Sequence, residues 1–201
     1  MNQTVQKLGF VAVALAVFGW LFWQSVQSSL SEPYVINRDL VTSWQLVLRG
    51  PALSDGGLLV LQPSDQLRAE LFQQIFSRTM ESMMSPAETA MPLVLHDEFR
   101  AFGDSLTVEE LQLAAEEAGL EDVVPIPVCI GHVRRPPTEQ LYYALFAAPE
   151  IDRFRRDLMR ERGDGGSFAL AIPLAASDGN FASWWPLDVT DADCLAPLEA
   201  G

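Results

Sequence analysis

His96, Asp97 and Glu98 form the only run in the chain that sets an imidazole beside carboxylates, and the chain has just two histidines. An imidazole next to an acid is the usual material of general acid–base chemistry. Two imidazoles and a carboxylate can hold zinc, so His132 is the natural fourth member of such a set. The spacing argues against both uses. The run closes the apolar stretch MPLVLHDEF, residues 91–99, which reads as a strand. Neighbours in a strand point to opposite faces, so the three side chains converge only if the chain turns there. The expectation is a polar cluster at a strand end with a separate surface histidine. No catalytic residue, no metal ligand and no cofactor is assigned, and the chain is read as a non-enzyme.

Other candidates are weaker. Gly103-Asp104-Ser105 lacks the flanking glycine of a nucleophile elbow. Gly163-Asp164-Gly165-Gly166 follows a helical pattern, which makes it a helix stop and not a phosphate cradle. Arg153, Arg155 and Arg156 could clamp an anion, but Asp152, Asp157 and Glu161 alternate with them at intrahelical pairing distance. Cys129 and Cys194 are the only cysteines. They form neither a CxxC redox pair nor a zinc set, and an even count permits one disulfide. Trp184 and Trp185 sit in a C-terminal tail without periodicity. They are a candidate interaction surface, or aromatics folded back onto a sheet.

The elements that would position these residues follow from the apolar pattern. Residues 42–49 alternate as a half-buried strand, and 58–62 are a second strand. Ser64 caps an amphipathic helix of about twenty residues, ended by Pro86. Its Met80, Met83 and Met84 read mainly as core, with an adaptable contact surface as the alternative. Thr107 to Glu110 is a capping box that opens a helix over 107–118. Residues 124–133, 141–148 and 168–174 are strands, with a helix over 150–162. Pro125 and Pro127 argue that the first of these is an edge strand.

From 92 to 174 the order is β-α-β-β-α-β, which predicts a ferredoxin-like antiparallel sheet with both helices on one face. The acidic helix 107–118 and the arginine-bearing helix 150–162 would then be neighbours of opposite sign. The fold class is α+β, with a strand-strand-helix extension before that core and a tail over 175–201. A bridge from Cys194 to Cys129 would pin the tail along the sheet.

Upstream lies the most apolar stretch, Leu8 to Trp23, sixteen residues without a charge. A spanning helix needs about 20 apolar residues. With uncharged flanks from Val5 to Val26 the length suffices, and Trp20, Phe22 and Trp23 cluster as interfacial aromatics do. The expectation is a single transmembrane anchor over 1–30, with Leu8, Phe10, Val11, Leu15, Phe18, Trp20, Leu21, Phe22 and Trp23 facing lipid. A linker over 31–40 and one domain over 41–201 follow. Lys7 on the short side suggests a bacterial inner-membrane protein with a cytoplasmic N-terminus and a periplasmic body.

Residues 31–201 carry all 27 acids and 12 of the 13 bases, a formal charge of −15 (12 minus 27). Such a body repels phosphate backbones, which excludes nucleic acid as an expected partner. Together these features predict a non-catalytic accessory or scaffold subunit. It would contact the bilayer through 8–23 and brace a larger membrane complex, bioenergetic or of an envelope export system. The alternatives are an envelope enzyme, hydrolytic or metal-dependent, using His96, Asp97, Glu98 and His132, or a periplasmic ligand-binding module.

Overall fold

The computed structural model describes the backbone of residues 2–50, 57–160 and 168–201, and the side chains of these except 2–12, 26, 27 and 30. The expected glycine stop at 163–166 lies outside the described residues.

Helix α1, Asn2–Ser31, runs almost directly into strand β1, Tyr34–Ile36, and a single turn α2, Arg38–Val41. The residues expected as a linker are therefore part of the body, and Tyr34 and Ile36 are fully buried. Arg78 fastens this entry. Its guanidinium donates to the carbonyls of Ser29 (3.3 Å), Glu32 and Pro33 (2.9 Å) and lies over the Tyr34 ring.

Among the described residues, no helix is long and apolar enough to cross a membrane. The uncharged apolar stretch Leu8 to Trp23 is followed by Gln24 and Ser25, and its sixteen residues rise about 24 Å, short of a hydrocarbon core of about 30 Å. This corrects the expectation of a single-pass anchor, and with it the inner-membrane placement with a periplasmic body. Leu8, Phe10 and Val11, named for that anchor, have side chains outside the described residues.

Strands β2, Trp44–Leu48, β3, Gly57–Pro63, and β4, Met91–Leu95, form a three-stranded antiparallel sheet. Strands β5, Ile126–Arg135, β6, Glu139–Ala147, and β7, Ala171–Ala176, form an antiparallel meander. The C-terminal strand β8, Cys194–Ala200, pairs antiparallel with β5 and parallel with β1. The five-stranded sheet is thus ordered β1-β8-β5-β6-β7.

This corrects the ferredoxin-like expectation. In that arrangement β4 would lie between β6 and β7; instead β6 and β7 bond to each other and β4 belongs to the other sheet. The order of elements is compatible with both topologies, and long-range register decides between them. Nor is β5 an edge. Its pairing with β6 shifts register between Pro127 and Cys129, and β8 reaches only Cys129 to Gly131, so the missing donor of Pro127 disturbs no ladder on that side.

Helix α3, Asp65–Thr79, is capped by Ser64 Oγ, which accepts from Leu67 N, and it buries Leu67, Leu71 and Ile75. It ends before Pro86 because the following residues are held by the five-stranded sheet. Met84 exchanges two 2.9 Å backbone bonds with Ala176, and Thr89 Oγ1 donates to Pro173 O. Met80 turns the chain out of the helix at φ 53, a left-handed conformation that non-glycine residues adopt only under such constraint. The same tether joins the outer side of β7 to the route into β4. A common core, with Trp44, Leu59, Leu61, Met91, Leu93, Ile130, Ala144, Ile172 and Leu174, fills the space between the two sheets.

Candidate functional site

The chain does turn after β4. His96–Arg100 forms a short helix, α4. Glu98 folds back to accept from Leu95 N at 2.8 Å, which starts the helix. The same carboxylate takes Arg155 Nη2–H at 2.9 Å. Arg155 is 5% exposed, donates also to Leu93 O, and rests 3.8 Å from the centre of the Phe168 ring. Asp97 pairs with Arg100 on the surface. His96 Nε2 is buried and makes no hydrogen bond within the chain. The three residues therefore go to three separate uses, and Glu98 is occupied by fold-bearing contacts.

His132 lies in β5, in the other sheet, and stacks on Tyr142 of β6 with ring centroids 4.2 Å apart. Its Nε2 is 3.3 Å from Gln140 Oε1, and Gln140 Nε2 donates to Glu81 Oε2 at 2.9 Å. Tyr142 OH donates to the same oxygen at 3.4 Å. The carboxylate can only accept, so the amide turns its NH₂ toward Glu81 and its oxygen toward His132. That assigns the Nε2–H tautomer and leaves Nδ1 unprotonated. Burial, then Arg134, hold the imidazole below its ordinary range, against the opposing pull of Gln140 and Glu81. Burial, then Glu81, push the Tyr142 phenol well above its usual value.

This network was only partly visible in the sequence. The turn between Arg135 and Glu139 sets His132 opposite Tyr142. Glu81 carried no such signal, because the helical pattern runs through it. Among the described residues, no three His, Cys, Asp or Glu side chains gather as metal ligands would.

The outer face of the β5-β6-β7 meander is covered by the segment after β7. Phe181, Trp184 and Leu187 pack on Cys129, Leu141, Tyr143 and Leu145. Trp184 is 1% exposed, with Arg135 over its ring at 4.1 Å. Trp185 is half-buried and edge-on to Phe168. Of the two readings of this pair, burial against the sheet describes them. Cys129 and Cys194 are joined by a disulfide with a Cα separation of 5.7 Å.

The surface also exposes large apolar side chains. Val13, Leu15, Val17, Phe18, Trp20, Leu21, Phe22 and Trp23 of α1 are each at least half exposed, Phe18 at 73%. At the end of α3 and just beyond it, Phe76, Met80 and Met84 are also exposed, Met80 at 76%. Only Met83 of the methionine group packs against the core, so the reading of that group as mainly core does not hold.

The fold and these clusters define a two-sheet α+β body, closed by a disulfide and bearing an exposed apolar helix. No protein-family model, no curated protein and no solved structure matches the chain.

Proposed function

We propose that the chain is a non-catalytic accessory or scaffold subunit that braces a larger protein assembly, with α1 as its docking element. The observation that carries this is the run of eight exposed large apolar side chains between Val13 and Trp23. A helix apolar on every side is normally buried, and contiguous apolar surface of this kind marks an interaction site. The disposition of the acid–base groups supports the same reading. Glu98, Asp97 and Glu81 are each committed to bonds within the fold.

The test is the size of the native particle. Tagged full-length chain, extracted gently from its own cells, should migrate in an assembly of fixed stoichiometry. Trp20→Glu with Trp23→Glu should release it while leaving its folded spectrum unchanged. Migration as a free particle of about 22 kDa before any substitution, or recovery with lipid vesicles alone, would overturn the proposal.

A second reading, an enzyme using His132 as a base, is favoured by one observation: the unprotonated Nδ1 of an oriented, neutral imidazole. It requires that His132→Phe abolish a turnover that His96→Asn leaves intact.

A further inference from the structure

Helices α5, Val108–Glu117, and α6, Pro149–Met159, do not close against each other. Between them lies an open groove of about 600 Å³ lined by Ala114, Ala118, Phe154 and Leu158, with Glu117, Glu150, Arg153 and Asp157 around them. Opposite helix charges had suggested that the two would attract. Arg155 points inward to Glu98 and Leu93 O, and Arg153 stands on the rim of the groove. Among the described residues no ion pair joins α5 to α6. The carboxylates of the rim are exposed and outnumber its one guanidinium by three to one.

The geometry points to this groove as the seat of a basic, amphipathic segment of a partner protein. Small residues, Ala114 and Ala118, open one wall so that a large apolar side chain can enter over Phe154 and Leu158. Flanking lysines or arginines on the entering segment would meet Glu117, Glu150 and Asp157; Arg153 opposes them, but three carboxylates against one guanidinium leave the rim negative. Alternating apolar and basic positions at helical spacing satisfy both demands. The chain's formal charge of −14 would speed the encounter without choosing the place. None of the lining residues belongs to α1, so the inference goes beyond the docking role given to that helix and does not depend on it.

The probe is a labelled peptide of leucine and lysine at amphipathic helical spacing, titrated into the full-length chain and followed by fluorescence anisotropy. Its control carries glutamate for lysine. The lysine peptide should bind saturably and the glutamate peptide should not. Ala118→Phe, which fills the groove from an exposed position, should weaken binding by about tenfold or more, as loss of a central pocket does. Glu117→Gln, Glu150→Gln and Asp157→Gln together should weaken it several-fold, in keeping with about 0.2–1 kcal/mol per exposed ion pair. Because these three side chains lie on the surface, that variant keeps the test open should Ala118→Phe fail to fold. No saturable binding of the lysine peptide overturns the inference. So does equal binding of the glutamate peptide, or lysine-peptide binding that neither variant changes, which would mark charge attraction spread over the surface.

Discussion

The side-chain amide of Gln74 stands where the next strand would pair with Val35. Its Nε2 donates to Val35 O at 2.8 Å and its Oε1 accepts from Val35 N at 3.2 Å. Val35 lies in β1, the edge of the five-stranded sheet beyond β8. An unpaired edge invites another chain to add to it, and a helix carrying one correctly placed amide blunts it. Each such bond contributes about 0.5–1.5 kcal/mol. Gln74→Ala should therefore lower stability by about 1–3 kcal/mol and speed amide exchange at Val35. Unchanged exchange at Val35 would show that the edge is protected in another way.

Gly131 and Tyr143 are cross-strand partners in which one residue exists to make room for the other. A Cβ built on Gly131 would lie 2.1 Å from Tyr143 Cζ. The Tyr143 ring is fully buried, so it has little freedom to give way. Gly131→Ala should cost about 1–3 kcal/mol, the range of an overpacked core. Tyr143→Phe should be neutral or slightly stabilising. The phenol is buried without a hydrogen-bond partner, and burial with Asp193 pushes it up to about 12. Denaturant unfolding of both variants checks the pair, and an unfolding midpoint for Gly131→Ala equal to that of the parent would refute the steric argument.

The disulfide ties a strand whose own pattern is weak. Cys129 and Cys194 are 65 residues apart, and a loop of that length gives about 4 kcal/mol in the chain-entropy treatment. β8 holds Pro197 and little alternation, so it depends on pairing with β5 and β1 more than on its own propensity. Cys194→Ala with Cys129→Ala should lower the melting temperature and expose β8 and β1 to exchange ahead of β6. Uniform loss across the sheet would mean that the bridge supports the whole body and not its C-terminal strand.

Residues whose signal is local were legible. Thr107 and Glu110 form the capping box their spacing announces, with Thr107 N 2.8 Å from Glu110 Oε2. Ser64 caps α3, and the two strands read at 124–133 and 141–148 are β5 and β6. Pairing across distance was not legible. Nothing near Met91 states that it will face Leu61 of β3 and not β6. Glu81 joins His132 only because Met84 is captured by Ala176, a contact 92 residues away in sequence. The topology was therefore misassigned even where the elements were found, and the part-buried network around His132 rests on the same long-range contact.

That network makes a pH prediction. Burial first, and Arg134 second, lower the His132 pKa from 6.5; Gln140 and Glu81 act in the opposite direction without cancelling them. The folded chain thus binds a proton at His132 less readily than the unfolded chain does. Between pH 6.5 and the lower folded value the unfolded state carries more protons, so stability falls as the pH falls. Above pH 6.5 both states are neutral at this site and nothing is lost; below the folded value the loss is complete. Protonation also removes the lone pair from Nδ1 and sets a cation against Arg134, while Glu81 remains engaged with Gln140 and Tyr142. His132→Phe keeps a flat ring to stack on Tyr142 and removes the titration. Its unfolding free energy should decline less than that of the parent from about pH 7 to pH 5, the range in which an ordinary histidine titrates. His96→Asn, in the other sheet, serves as the control for the remaining imidazole. Parallel pH profiles for the parent and His132→Phe would show that His132 titrates alike in the folded and unfolded chains, and the buried-imidazole account would be wrong.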